Sequence, residues 1–165
     1  MKLGVLSDTH QNRALMSRAV DILVTQLHVV HLIHLGDDWE DGETLEWQGF
    51  SVSGVPGLWC DAYTDRRIPN VRVDVFEGVA IGYAHDRKEL QPIVKKAALL
   101  LSGHTHQSVI DTIQSVPHMN PGHLSALRNR GQEATFGLVD ITEKVFLLSL
   151  YGLDGFVRDS RTFPR

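Results

Sequence analysis

Two apolar stretches near the amino terminus, KLGVLSDTH at residues 2–10 and VVHLIHLGD at residues 29–37, determine the fold class. Each is a short apolar run that ends in a turn with an aspartate, as buried strands do. The residues between them carry apolar side chains on one helical face: Leu15, Ala19, Ile22, Leu23 and Leu27. A strand, a helix and a strand in this order predict a right-handed βαβ unit.

The later part of the chain predicts a change to antiparallel strands. Asp86 with Glu89 forms a capping-box pattern that predicts a helix over 86–98. Residues 38–48 are acidic and predict a loop or a short helix, whereas the polar tail 158–165 is expected to be loosely ordered. Further strands are predicted at 50–55, 71–76, 79–84, 99–101, 107–113, 116–119, 135–141 and 145–151. The fold class is therefore α/β with a large mixed or double sheet.

Length and charge exclude several classes of protein. The chain has 165 residues and a net charge of −4, which predicts one domain over residues 1–165 and no basic nucleic-acid surface. No apolar run approaches the ~18 residues of a membrane span. Cys60 is the only cysteine, so no intrachain disulfide can form, and we expect a cytoplasmic protein.

Histidine is abundant, and its positions carry the functional information. Of the 9 histidines, four follow predicted strands together with two aspartates: Asp8, His10, Asp37, His85, His104 and His106. Ligands bind α/β sheets outside the carboxyl ends of the strands, so these side chains are expected to converge. Two carboxylates and four imidazoles suit Zn²⁺, Mn²⁺ or Fe²⁺.

These motifs resemble those of a known superfamily. Asp8-Thr9-His10, Gly36-Asp37, His85 and Gly103-His104-Thr105-His106 look like the calcineurin-like metallophosphoesterases, most of all the small single-domain bacterial and archaeal phosphodiesterases. Asn120-Pro121-Gly122 also resembles that subfamily.

The resemblance implies a fold and a metal centre. The fold would be a four-layer αββα sandwich of two mixed sheets flanked by helices. One divalent ion would be held by Asp8, His10, Asp37 and His106, and a second by Asp37, His85 and His104. Asp37 and His104 would act in catalysis, in which a metal-bound hydroxide attacks phosphorus. Mn²⁺ is the expected ion, with Zn²⁺, Fe²⁺ and Ni²⁺ as alternatives.

One motif departs from the family pattern. The family has Gly-Asn-x-Asp after the third strand, where the Asn ligates the second metal, but this chain has Gly57-Leu58-Trp59-Cys60-Asp61. Leucine cannot ligate a metal, so the second site is expected to be weakened. Water could fill the gap, Asp61 or Cys60 could replace the ligand, or the site could hold one ion.

Further residues have ordinary structural explanations beside functional ones. Asn12 is a helix cap or a phosphate contact, and Asp61 is a metal ligand, a substrate contact or a loop cap. His118 and His123 flank the Asn-Pro-Gly turn and are candidates for the mouth of the site. Arg128 and Arg130 fit a solvated loop better than a substrate phosphate.

The leading functional hypothesis is metal-dependent hydrolysis of a phosphoester, a diester rather than a monoester. The chain lacks the general-acid histidine of larger relatives, so esters with good leaving groups should react best. The alternatives are a catalytically silent scaffold, as in the retromer subunit of similar fold, and a regulator that binds a phosphorylated ligand without turnover. The expected partner is a small phosphoester, and the unpaired late strands allow a homodimer.

Overall fold

The computed structural model describes residues 1–165 and contains thirteen strands. They are β1 (Lys2–Leu6), β2 (His31–His34), β3 (Val52–Gly54), β4 (Val71–Phe76), β5 (Val79–Ala84), β6 (Leu99–Leu101), β7 (Val109–Ile113), β8 (Val116–Asn120), β9 (Arg128–Asn129), β10 (Gln132–Glu133), β11 (Thr135–Ile141), β12 (Val145–Gly152) and β13 (Val157–Pro164). A six-stranded sheet has the order β13-β12-β11-β1-β2-β3, and a five-stranded sheet has the order β4-β5-β6-β8-β7. Strands β9 and β10 form a separate small hairpin.

Both sheets are mixed, with parallel strands at their centres. Strand β1 is parallel to β2 and antiparallel to β11. In the second sheet β6 is parallel to both β5 and β8, whereas β4 and β7 are antiparallel to their neighbours. The loops that follow the carboxyl ends of β1, β2, β5 and β6 carry the six predicted metal ligands.

The helices are short. Helix α1 spans Arg13–Asp21 and continues as a π-helical segment over Ile22–Gln26, while α2 spans Trp39–Trp47. Asn12 caps α1 by accepting the Leu15 backbone N–H, which confirms the expected cap. Two 3₁₀ segments span Asp61–Thr64 and Arg87–Lys96. The second has the predicted capping box but is not an α-helix, and Pro92 inside it lacks the N–H that an α-helix would use.

The core has three parts that define four layers. The largest apolar cluster lies between the two sheets and includes Val5, Ile33, Tyr83 and Leu148. A second cluster packs α1 and α2 on the outer face of the six-stranded sheet, and a third packs the segment Arg87–Lys96 on the outer face of the other sheet. This arrangement confirms the αββα sandwich.

The carboxyl-terminal tail differs from the prediction. It is not loosely ordered, because β13 pairs antiparallel with β12 from Tyr151↔Val157 to Val145↔Pro164. Its polar composition belongs to an edge strand, in which most side chains are exposed and the backbone supplies the stabilising hydrogen bonds. No helix in the structure is long and apolar enough to cross a membrane.

Candidate metal centre

Four of the predicted ligands form one compact cluster. A donor atom from each of Asp8, His10, Asp37 and His106 lies within 4.8 Å of every other. His10 Nε2 is 2.7 Å from Asp37 Oδ2 and 3.1 Å from His106 Nε2, and His106 Nε2 is 3.3 Å from Asp8 Oδ1. Two imidazole nitrogens and two carboxylates facing one point form a set of donors suited to a divalent ion.

The other two predicted ligands lie beside this cluster. His85 Nε2 is 3.6 Å from Asp37 Oδ1, and the rings of His85 and His104 are 5.1 Å apart. The fully buried His85 pairs its Nδ1 with the Leu35 carbonyl at 2.7 Å, which places the ring proton on Nδ1. Its Nε2 is then a free acceptor next to Asp37, as a metal-ligating histidine requires.

The loops after the strands hold these residues in an uncommon backbone conformation. Five of the six predicted ligands have positive φ: Asp8 at 53°, His10 at 46°, Asp37 at 75°, His104 at 68° and His106 at 60°. Such conformations cost about 1–3 kcal/mol each in non-glycine residues and concentrate at functional sites. The stability of the surrounding fold offsets this cost. The positive-φ conformation turns the side chains back toward one another.

The charges of the cluster shift the pKa values of its members. Burial raises the pKa of Asp8, but the hydrogen bonds from His106 and Ser7, together with the charge of His106, leave the pKa below its usual value. Burial and then the negative charge of Asp8 raise the pKa of Asp37. The hydrogen bond to Asp8 raises the pKa of His106. The carboxylates of Asp8 and Asp37 lie within 4.8 Å and repel each other. A bound cation would relieve this repulsion.

Backbone and side-chain donors fix the loops that carry the ligands. The His104 backbone N–H donates to both Asp8 oxygens, at 3.1 and 2.9 Å, and the Ser7 hydroxyl donates to Asp8 Oδ2. Asn120 Nδ2 donates to the Gly103 carbonyl at 2.7 Å and to Thr105 Oγ1 at 3.1 Å. The Asn120-Pro121-Gly122 motif therefore serves to hold the loop of His104 and His106.

The loop Gly57 to Asp61, whose sequence differs from the family pattern, packs directly on Asp37. A Cβ on Gly57 would lie 2.3 Å from Asp37 Cα, so only glycine allows this approach. Leu58 follows Gly57 and offers no donor atom. Cys60 lines a small recess with His10 and Asp37, but its thiol donates to the Gly57 carbonyl. Asp61 is exposed, begins a 3₁₀ turn and lines no part of the cavity described below.

A buried carboxylate lies behind the cluster, and no sequence motif singles it out. Asp41 belongs to the acidic stretch 38–48, yet it is fully buried. It accepts hydrogen bonds from Thr9 Oγ1 at 2.6 Å and from the Gln11 backbone at 3.1 Å. Because Thr9 lies between two predicted ligands, Asp41 holds their turn in place. Its position in the first turn of α2 was the only signal available.

The remaining candidates divide between the site and the scaffold. His123 is buried and stacks on His106, with ring centroids 5.3 Å apart. His118 lies elsewhere, between Ser102 Oγ at 2.9 Å and Asp111 Oδ1 at 2.7 Å. Asn12 uses both side-chain atoms internally, because its Nδ2 donates to the Ser125 carbonyl at 2.9 Å and its Oδ1 caps α1.

A cavity of about 720 Å³ opens at the cluster. It is lined by His10, Asp37, Trp59, His104, Thr105, His106, Ser125, Asn129 and Arg130. Eight of these nine residues are polar, so the cavity suits a charged ligand rather than an apolar one.

The residues present fit a divalent metal. The buried Nε2 of His85 and Nδ1 of His106 have no hydrogen-bond partner. Buried polar atoms without a partner are rare and call for an explanation. A cation coordinated by Asp37 and His85 would satisfy the first of these atoms and neutralise the adjacent carboxylates.

Comparison with known proteins identifies the class. The family model of the calcineurin-like phosphoesterase superfamily domain matches residues 1–144, and the chain belongs to this superfamily. Among curated proteins there is no match to the chain.

Several solved structures share the fold. The phosphoesterase Yfce from E. coli is 23% identical, with a TM-score of 0.72 over 98% of each chain. An archaeal phosphodiesterase is 19% identical, with a TM-score of 0.69 over 100% of each chain. Vps29 of Entamoeba histolytica, in complex with Zn²⁺, is 18% identical, with a TM-score of 0.69 over 99% of each chain. At these identities the likeness shows the fold alone.

Proposed function

We propose that this protein is a metal-dependent hydrolase of phosphoesters and that diesters are better substrates than monoesters. The observation that carries the proposal is the cluster of Asp8, His10, Asp37 and His106 within 4.8 Å at the edge of an open polar cavity. Membership of the phosphoesterase superfamily and the fold shared with an archaeal phosphodiesterase support it.

We assign the predicted ligands to two positions for divalent ions. Asp8, His10, Asp37 and His106 would hold the first, and Asp37, His85 and His104 would hold the second. Bound ions would attract the phosphate and lower the pKa of a water molecule toward neutrality. We propose Mn²⁺ as the working ion, with Zn²⁺, Fe²⁺ and Ni²⁺ as alternatives, and a weaker second position because Leu58 supplies no ligand.

Residues of the chain hold the proposed metal positions and the substrate in place for the reaction. In the net reaction a water oxygen bonds to phosphorus, the bond from phosphorus to the leaving oxygen breaks, and a proton reaches that oxygen. Asp37 lies between His10 and His85, so it is placed to contribute to both proposed metal positions. His104 lines the cavity, and its backbone N–H holds Asp8. Because no further histidine lines the cavity as a proton donor, substrates with good leaving groups should react fastest.

The test is hydrolysis of bis(p-nitrophenyl) phosphate by protein freed of metal and then given Mn²⁺, Ni²⁺, Zn²⁺ or none. We expect turnover only with metal and its loss in Asp37→Ala and His104→Ala. The matched control is Glu46→Ala, which removes an exposed carboxylate from α2. Absence of turnover with every metal would contradict the proposal.

A second candidate is a scaffold that does not catalyse. Leu58 in place of the ligating asparagine favours it, and the Vps29 structures show that the fold is not confined to proteins named as phosphoesterases. Three imidazoles at one cavity, those of His10, His104 and His106, with a fourth from the buried His85 behind them, have no evident use in a pure scaffold. The scaffold is supported instead if the protein binds fewer than two ions and hydrolyses none of the esters.

A further inference from the structure

An exposed tryptophan stands at the cavity of the metal centre. Trp59 is 89% exposed, although burying an indole is normally favourable. It is the one hydrophobic residue among the nine that line the main cavity. Together with His10 and Asp37 it also lines the adjoining small recess, so its indole stands between the two spaces, next to the metal cluster.

Neither the indole ring nor its nitrogen is used by the fold. Trp39 donates its Nε1 to Glu43, but Trp59 makes no hydrogen bond and belongs to no apolar cluster. The loop that carries it is otherwise anchored, because Gly57 packs on Asp37 and Cys60 bonds to Gly57. A flat apolar ring is thus held at a polar cavity by a fixed loop.

A cation lines the same cavity. Arg130 is at the tip of the β9–β10 hairpin, where Arg130 and Gly131 have φ of 49° and 81°, as in a tight two-residue turn. No carboxylate pairs with Arg130, whereas Arg87 and Arg158 form close ion pairs on the surface. Arg130 lines the cavity together with His10, Asp37 and His106, so its charge faces the same space as three of the predicted ligands.

We propose that Trp59 and Arg130 determine specificity for phosphoesters that carry a planar aromatic ring. The ring stacks on the Trp59 indole while the phosphate occupies the metal centre, where Arg130 contacts its oxygens. Stacking on an aromatic side chain and a guanidinium on phosphate are how proteins hold nucleotides and aryl phosphates alike. This inference rests on the proposed function, because it takes the metal centre as the phosphate site.

Binding separates the ring from the phosphate. In Mn²⁺-loaded protein we compare the Kd of AMP, of phenyl phosphate and of ribose 5-phosphate by calorimetry. Ring stacking predicts that AMP binds about 10-fold to 100-fold tighter than ribose 5-phosphate. Phenyl phosphate distinguishes the source of the ring: affinity close to that of AMP indicates any aryl ester, and affinity close to that of ribose 5-phosphate indicates a nucleobase.

The variants assign the two roles. Trp59→Ala should remove the preference for ring-bearing ligands, and Trp59→Phe should restore much of it. Arg130→Ala should weaken AMP and ribose 5-phosphate by the same factor, about 10-fold. The control is Trp47→Ala, because Trp47 is 84% exposed at the end of α2 and lines neither space. AMP should also quench the fluorescence of the wild type but not of Trp59→Phe.

The outcomes distinguish this inference from the proposed function. Equal binding of AMP and ribose 5-phosphate by the wild type, or a preference that survives Trp59→Ala, overturns the role of Trp59 even if the protein hydrolyses diesters. A Trp59-dependent preference without hydrolysis of any ester contradicts only the proposed activity. If AMP does not bind at all, both the role of Trp59 and the assignment of the metal centre as the phosphate site are wrong.

Discussion

The backbone N–H of His104 donates to both carboxylate oxygens of Asp8, across 96 residues of sequence. This contact joins the end of β1 in one sheet to the end of β6 in the other. It holds two predicted ligands at a fixed separation before any ion binds, and a centre of this kind depends on such pre-organisation.

Asp8→Asn removes the charge of this carboxylate but keeps its shape and one acceptor oxygen for His104. We expect a folded protein whose affinity for Mn²⁺ falls by at least about 100-fold, because a neutral amide is a poor ligand for a divalent ion. Calorimetric titration with Mn²⁺ measures the change. Asp21→Asn, an exposed aspartate at the end of α1, should leave the affinity unchanged.

Asn120→Ala tests the residue that holds the His104 loop. The substitution removes both hydrogen bonds of its Nδ2, to Gly103 and Thr105. Residues that support metal ligands typically contribute about 10-fold to 100-fold in affinity or activity, and we expect a loss of kcat/KM in that range. Gln48→Ala, at the exposed residue that follows α2, is the control amide. Unchanged kinetics in Asn120→Ala would show that the loop keeps its conformation without this support.

Leu58→Asn restores the donor of the family pattern. We expect tighter binding of a second Mn²⁺ ion, by about 10-fold, and faster turnover at limiting metal, since an added oxygen ligand fills an open coordination position. Leu58→Ala shortens the side chain without adding a donor and should show neither effect. If both variants bind metal like the wild type, Leu58 does not occupy the ligand's place.

Asp41→Ala should destabilise the protein because it leaves the Thr9 hydroxyl and the Gln11 N–H without their acceptor. Buried donors that lose their partner cost about 1–3 kcal/mol in the free energy of unfolding. Urea denaturation of the metal-free protein measures this. The neighbouring Glu40→Ala changes an exposed carboxylate of the same helix and should have an effect within about 0.5 kcal/mol.

His34 makes stability depend on pH. Burial lowers its pKa to about 4, against 6.5 for an ordinary histidine. Between these values the unfolded chain binds a proton that the native state excludes, so the free energy of unfolding falls as pH decreases from 6.5 to 4. The effect of this group reaches about 3 kcal/mol at pH 4 and vanishes above 6.5.

Thermal unfolding of metal-free protein at several pH values measures this dependence. His34→Gln should flatten the pH dependence below 6.5, although His118, whose pKa is also lowered by burial, keeps part of it in both proteins. The exposed His28→Asn is the control and should preserve the wild-type slope. A slope that His34→Gln leaves unaltered would mean that His34 is protonated in the native state.

Periodicity predicted most of the strands because each apolar run buries one sheet face. The hairpin 71–84 and strands 99–101 and 135–141 have the predicted bounds. Periodicity missed β13 because an edge strand is stabilised by backbone pairing with β12, which requires no apolar pattern. It also misassigned the segment Arg87–Lys96, where Pro92 and local packing select a 3₁₀ conformation.

The sequence by itself determined the fold class, the superfamily and which six side chains follow the strands, because strand ends and turn residues are local features. Tertiary structure alone decided the burial of Asp41, the stacking of His123 on His106 and the part of Asn120 in holding the His104 loop. Tertiary structure likewise brought Trp59 and Arg130, 71 positions apart in the printed sequence, to the same cavity. These relationships join residues far apart in the chain, and only the packing of the two sheets brings them together.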